Sequence, residues 1–357
     1  MNTLATLSLS RLPVAFRPYP DEALTSWLSR AAAVYGCTSR ELLSTYRDFQ
    51  REKFENVDLQ PNRAALDFIQ VLVGGQMDKL RSCTLSTVYP HWVPNWISRT
   101  PPLWHTNECR TVTTIGLCPA ICPFCLIEDL QSGRSQHLRL SWYCSITTVC
   151  PIHLNPLFTC CSGYSSQSFA HGQDRLQRDR VYCTGCRGVL DLRYNSASRS
   201  DPQALFQVAQ FERLLRSALA NERILVFGKY SIASECLLLF AEDMARALMR
   251  PLVGSQYRIL HALQTPQFRV PSGFNTPVDV PSWLSSGSLL LRRSILAVLA
   301  NLVLSEISYC SLGSEGSRGR AFWKTLRSLQ NPDDGRALRD RAVCWGHVLP
   351  DVVEFYW

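Results

Sequence analysis

A mostly α-helical fold in three parts follows from three observations in this 357-residue sequence. Near the start, apolar residues recur at three- and four-residue steps on either side of a glycine turn. In the middle, cysteines crowd into short knuckles, and one stretch between them alternates apolar and polar. Over the last third, runs with helical periodicity alternate with Pro- and Ser-rich stretches. The domains expected are 1–108, helical and helix-turn-helix-like; 109–200, tandem cysteine-knuckle units with short strands; and 201–357, helical.

Residues 1–18 contain Pro13 and Pro18 and read as extended. Pro20, Asp21 and Glu22 then open a helix, with the acids at the end the helix dipole favours. Leu24, Trp27, Leu28, Ala31 and Tyr35 give it one apolar face, and Gly36 ends it. Thr38-Ser39-Arg40-Glu41 reads as a capping box that starts a second helix reaching about Tyr46. Two short helices about a glycine turn fit a helix-turn-helix or an ordinary helical hairpin, and spacing does not choose between them. A similar pair is expected over 64–73 and 76–81, joined by Gly74-Gly75. Residues 86–107 form a Pro- and Trp-rich loop whose Trp92, Trp96 and Trp104 suit core or interface anchors.

The stretch from Cys118 to Cys186 holds nine of the fifteen cysteines. Cys122-Pro-Phe-Cys125 is one knuckle, and Cys150-Pro-Ile-His153 is a second. Two residues between ligands let both side chains of a tight turn converge on one ion, and thiolates with an imidazole match the borderline softness of zinc. Cys122, Cys125, Cys150 and His153 are therefore the ligands expected for a first zinc, with Cys118 a competitor of Cys122. Cys183-Thr-Gly-Cys186 is a third knuckle, and Cys160 and Cys161 are its candidate partners for a second zinc. Cys160 and Cys161 are adjacent, so their side chains diverge unless the chain turns sharply, as Gly163 would allow; His171 is an alternative to either. Four protein ligands close a zinc site, which marks a structural ion and argues against hydrolysis. Cys83, Cys236 and Cys310 read as small buried hydrophobes.

Leu138, Leu140, Trp142, Cys144 and Ile146 alternate with more polar neighbours, which predicts a strand leading into the Cys150 knuckle, with Cys144 on its apolar face. Residues 162–180 are rich in Ser, Gln and Arg and read as a solvated loop. Asp201-Pro202 is a helix start, a cap followed by a first-turn proline, continued by Phe206, Ala209, Leu214 and Leu215. Further helices are expected over 231–249, 289–307 and 320–329. Cys344-x2-His347 is a lone half-site that suits coincidence better than a third metal.

Composition limits the function classes. No Gly-rich phosphate loop, catalytic triad or carboxylate dyad can be assigned, so an ATPase or hydrolase is not expected. A zinc on three thiolates and an imidazole carries net −1 and one on four thiolates −2, which would lower the formal +8 to +5. That mild basic bias is compatible with nucleic acid. Of 37 basic residues only Lys53, Lys79, Lys229 and Lys324 are lysine. Arginine forks onto phosphates and stacks on bases, although codon bias explains the excess equally well. Residues 1–10 lack the basic start of a signal peptide, and Arg292 and Arg293 interrupt the longest apolar run, Leu289 to Leu304. A reduced, cytoplasmic protein with no membrane span is expected.

The run from Arg17 through Pro20, Asp21, Ala23, Leu24 and Trp27 to Arg30 resembles the opening of the TniQ family. So do Cys118-Pro119, Cys122-Pro123-Phe124-Cys125-Leu126, Leu140-Ser141-Trp142, Val149-Cys150-Pro151-Ile152-His153 and Leu157. The resemblance covers roughly residues 11–190. It implies a prokaryotic, non-catalytic target selector of transposons, with a helix-turn-helix, zinc fingers holding two ions, and a partner AAA+ ATPase that recruits the transposase. Shorter members dock, often as a homodimer, on a CRISPR Cascade complex carrying guide RNA, with target DNA nearby or weakly contacted. Longer TnsD-like members read a fixed DNA site directly. The modest length here tilts the expectation toward Cascade docking. The chain departs from the family at Cys160-Cys161, where a Cys-x-Cys or Cys-x2-Cys is usual, which leaves the second ligand set open.

Overall fold

The computed structural model describes residues 17–44, 58, 61, 67, 69–70, 80–90, 110–111, 114–115, 119–158, 169–173, 179–183, 188–190, 201–226, 230–250, 259–260 and 289–312. It is mostly helical with a few short strands. The chain divides into two compact units, one from 1–100, 105–144 and 158–195, the other from 101–104, 145–157 and 196–357.

In the first unit, α1 (Leu24–Val34) and α2 (Ser39–Ser44) flank the turn at Gly36. Gly36 has φ +65°, and the Gly36 and Cys37 amides donate to the carbonyls of Ala33 and Ala32. That is a Schellman stop, which needs a left-handed residue and so favours glycine. The capping box is formed: the Thr38 amide donates to Glu41 Oε2 at 2.7 Å, and the Glu41 amide donates to Thr38 Oγ1 at 3.2 Å. Leu24, Trp27 and Leu28 are fully buried and pack with Leu42, Ile69, Leu80 and Cys83. Each large apolar side chain so buried contributes roughly 1.5–3 kcal/mol.

The acids before α1 do not lie in its first turn. Asp21 adopts φ +58°, and its carboxylate accepts from the Ser141 amide and hydroxyl. Glu22 is buried against Arg30, which donates to it at 2.8 and 3.1 Å. The start of α1 is capped instead by Asp58, which accepts from the Thr25 amide at 2.7 Å and from the Thr25 hydroxyl. A distant carboxylate thus satisfies a first-turn amide.

The rest of this unit holds a four-residue helix, α3 (Leu85–Val88), and the two-residue strands β1 (Arg110–Thr111) and β2 (Thr114–Ile115). Next come α4 (Pro123–Gln131) and the antiparallel hairpin of β3 (Phe169–Gln173) and β4 (Asp179–Cys183). The hairpin occupies part of the 162–180 stretch, whose composition predicts a loop, and its strand β4 buries Arg180 and Val181. Residues 138–147 are not a strand either. Leu140–Tyr143 form a 3-10 turn. Tyr143, Ser145 and Thr147 are buried as well as the apolar set, so this segment meets protein on both sides. Its backbone pairs in an isolated bridge and a single bond: Leu138 O and Leu140 N with Ala23 N and Asp21 O, and Trp142 O with Ala120 N.

In the second unit, α5 (Pro202–Ala220) starts as the sequence indicates, with the Asp201 carboxylate accepting from the Gln203 amide at 3.0 Å. Its inner face is Leu205, Val208, Phe211 and Leu215, whereas Phe206 is 47% exposed, one position off the buried stripe. β5 (Arg223–Val226) pairs with β6 (Tyr230–Ala233), so the expected 231–249 helix begins only after a strand, as α6 (Ser234–Leu248). α7 (Leu289–Leu312) packs on α5 and α6. It is buried on nearly every side from Leu291 to Leu304, the environment an all-round apolar helix requires. No helix among the described residues is long and apolar enough to cross a membrane. The second helical pair and its glycine turn, the three loop tryptophans, the 320–329 helix and Cys344-x2-His347 lie largely or wholly outside the described residues.

Candidate metal centre

The two first knuckles come together. One ligand atom from each of Cys122, Cys125, Cys150 and His153 lies within 4.8 Å of the others, an arrangement that can hold one metal ion. The three cysteines are fully buried and His153 partly so. Around a tetrahedral zinc with Zn–S of about 2.3 Å, neighbouring ligand atoms sit roughly 3.8 Å apart. Cys150 Sγ and His153 Nδ1 are 3.5 Å apart, which matches. Three sulfurs and one imidazole nitrogen also suit zinc chemically, so these residues fit the ion.

Each knuckle is shaped by its own residues. Cys122 is the N-cap of α4 and Pro123 its first residue, so Cys122 and Cys125 sit at the start of the helix, one turn apart. The second knuckle is a tight loop closed by the Val149–Pro156 bridge. Cys150 N donates to Asn155 O at 2.8 Å and Leu154 N to Cys150 O at 2.9 Å, with Leu154 at φ +49°. The His153 amide points at Cys150 Sγ, 3.5 Å away.

Polar groups that sequence reading missed brace both knuckles. Arg139 Nη2 donates to the Cys125 carbonyl at 3.4 Å. Asp129 holds the same guanidinium through bonds of 2.8 and 2.9 Å and lies 3.1 Å from His137 Nδ1. Burial pushes the Asp129 carboxyl up, but hydrogen bonds and charge from His137 and Arg139 outweigh it and hold its pKa low. Gln136 Nε2 donates to Leu126 O at 3.0 Å, and its carbonyl accepts from Val181 N at 2.9 Å, tying α4 to β4.

Around the second knuckle the braces come from α5 and α7. Glu212 accepts from the Thr148 amide at 2.8 Å, the Thr148 hydroxyl at 2.6 Å and the Val149 amide at 3.4 Å. Its burial pushes the carboxyl up to about 7, against the pull of Arg216 and of the Thr148 and Val149 bonds. Arg292 donates to Ser145 O at 2.9 Å, and Arg293 donates to Thr148 O at 3.2 Å and Leu157 O at 3.0 Å. Burial lowers the Arg293 pKa to about 10, opposed by Glu212. The signal that this pair is unusual was in the sequence: two adjacent arginines interrupt the apolar run Leu289 to Leu304.

Cys144 is buried and outside the cluster, the place its alternation indicated. Cys83 is packed in the core, its thiol pushed up to about 12 by burial. Of the second expected ligand set, Cys183 is buried at the end of β4, where its amide donates to Gly188 O at 3.1 Å. Cys118, Cys160, Cys161 and Cys186 lie outside the described residues, as does the side chain of His171.

A family model, TniQ, matches residues 13–157, a span that contains α1, α2, α4 and all four clustered ligands. The Glu212, Arg292 and Arg293 braces lie beyond it. No curated protein matches the chain.

Proposed function

We propose, from the premise that this chain belongs to the TniQ family through residues 13–157, that it is a non-catalytic adaptor in target selection for DNA transposition. TniQ proteins select targets for transposons. In this reading the chain, as a homodimer in the cytoplasm, docks on an RNA-guided Cascade complex. It presents a surface to the AAA+ ATPase that recruits the transposase, and guide pairing supplies sequence specificity. The observation that carries the reading is the closed four-ligand cluster inside the family segment. Cys122, Cys125, Cys150 and His153 would hold zinc, which would supply local rigidity and no reactive water. A second zinc on Cys183, Cys186 and a choice among Cys160, Cys161 and His171 belongs to the same proposal. So does a division into a helix-turn-helix-like 1–108, a zinc-binding 109–200 and a helical 201–357.

A second reading is a TnsD-like protein that binds a fixed DNA site. It is favoured by α1 and α2, two short helices about the Gly36 turn, with the capping box fixing the start of α2. A salt titration on bare duplex separates the two. An adaptor binds duplex weakly and without sequence preference, and co-purifies with a guide-RNA complex. Preference for one sequence well above random DNA, falling steeply with salt, would replace docking by direct reading.

A further inference from the structure

We propose that Glu212, Arg292 and Arg293 are positioning residues for the Cys150–His153 knuckle, so that the helices beyond the family segment set the metal affinity of the centre within it. The inference rests on reading Cys122, Cys125, Cys150 and His153 as one metal centre.

The geometry is specific. Residues 145–157 contain no helix or strand among the described residues, only isolated bridges, so no ladder fixes them. The three charged groups hold them instead. The fully buried Glu212 carboxylate takes the amides of Thr148 and Val149, the two residues before Cys150. Arg293 takes the carbonyls of Thr148 and Leu157, one on each side of the loop, and so closes its base. Arg292 takes Ser145 O, where the segment begins. Arg216 steadies the carboxylate from one turn along α5, at 3.8 Å, and reaches Thr147 Oγ1 at 3.1 Å.

Hydrogen bonds to buried charged groups cost far more to break than neutral ones. Hydrophobic packing would tolerate sliding of the loop; oriented bonds to three carbonyls and two amides do not. The knuckle is thereby biased toward its ligating shape before metal arrives, which leaves the ion less of it to order. Partners one shell outside a metal site change affinity by roughly 10- to 100-fold when removed.

The test uses the full chain with zinc and a competing chelator. Glu212→Gln and Arg293→Met keep side-chain size and remove the charge. Each is expected to raise the zinc dissociation constant about 10- to 100-fold, with helix content unchanged, and to speed amide exchange across 145–157 without metal. Phe206→Ala, exposed on α5, should leave both unchanged. Thr148→Val, which removes only the hydroxyl bond to Glu212, should weaken zinc binding by a smaller factor and covers the case in which a charge-removing variant fails to fold. Wild-type zinc affinity in folded Glu212→Gln, Arg293→Met or Thr148→Val would overturn the positioning role while leaving the metal centre intact. A wild-type chain that binds no zinc would overturn the metal centre, and the inference with it.

Discussion

The two knuckles have the same ligand spacing and are built by different means. Cys122 and Cys125 ride on the first turn of α4, and their braces, Asp129, Gln136 and Arg139, come from that helix and the loop after it. Cys150 and His153 ride on an irregular loop, and its braces come from α5 and α7, far along the chain. A knuckle on a helix terminus inherits its geometry from backbone hydrogen bonding. A knuckle in a loop must be oriented from outside, here by charge.

The largest effect expected at either knuckle is loss of the shared ion. If both knuckles serve one centre, Cys125→Ser and Cys150→Ser should destabilise the zinc-loaded protein alike. Each would remove most of a binding contribution on the order of 10 kcal/mol. Thermal unfolding with and without chelator checks this, and a loss confined to one variant would separate the knuckles. Asp129→Asn comes next, because it leaves Arg139 and His137 without their buried carboxylate. A cost of roughly 3–5 kcal/mol is expected in denaturant titration, against a milder effect from Gln136→Ala.

A pH series separates both knuckles from the α1 cap. Burial pushes the Asp58 carboxyl from 3.8 to about 6, partly offset by bonds from Thr25 and Leu24. The folded protein therefore keeps a proton between about pH 4 and pH 6 that the unfolded chain releases. Stability from this group is full below the lower value and falls as pH rises, by on the order of 3 kcal/mol in all. Zinc ligation runs the other way, since thiolates form as pH rises. Subtracting an Asp58→Asn series from wild type should isolate the falling limb; identical profiles would refute the Asp58 assignment. The smallest effect is at Gly36, where a Cβ meets open space but the backbone has φ +65°. Gly36→Ala should cost about 1 kcal/mol in denaturant titration and leave zinc affinity unchanged.

The same contrast explains what could be read from the sequence. The Gly36 stop, the Thr38–Glu41 box, the Asp201 cap and both knuckles depend on residues a few positions apart, and each was legible. The cap of α1 by Asp58 and the clamp by Glu212, Arg292 and Arg293 join residues distant in the chain; the arginine pair stands out in its apolar run, but no local pattern gives what it binds. At 138–147 the alternation was real but its cause was not a sheet. A segment enclosed on both sides can alternate side-chain size without a neighbouring strand. The 231–233 strand was hidden because Ile232 and Ala233 fit either period, and only pairing with Arg223 and Ile224 decided it.

Metal content of the purified full chain, compared between wild type and Cys150→Ser by elemental mass spectrometry, decides whether the two knuckles hold a common ion. With one shared centre, the variant carries one zinc fewer per chain than wild type. Equal metal content in the two proteins, or none in either, would contradict it.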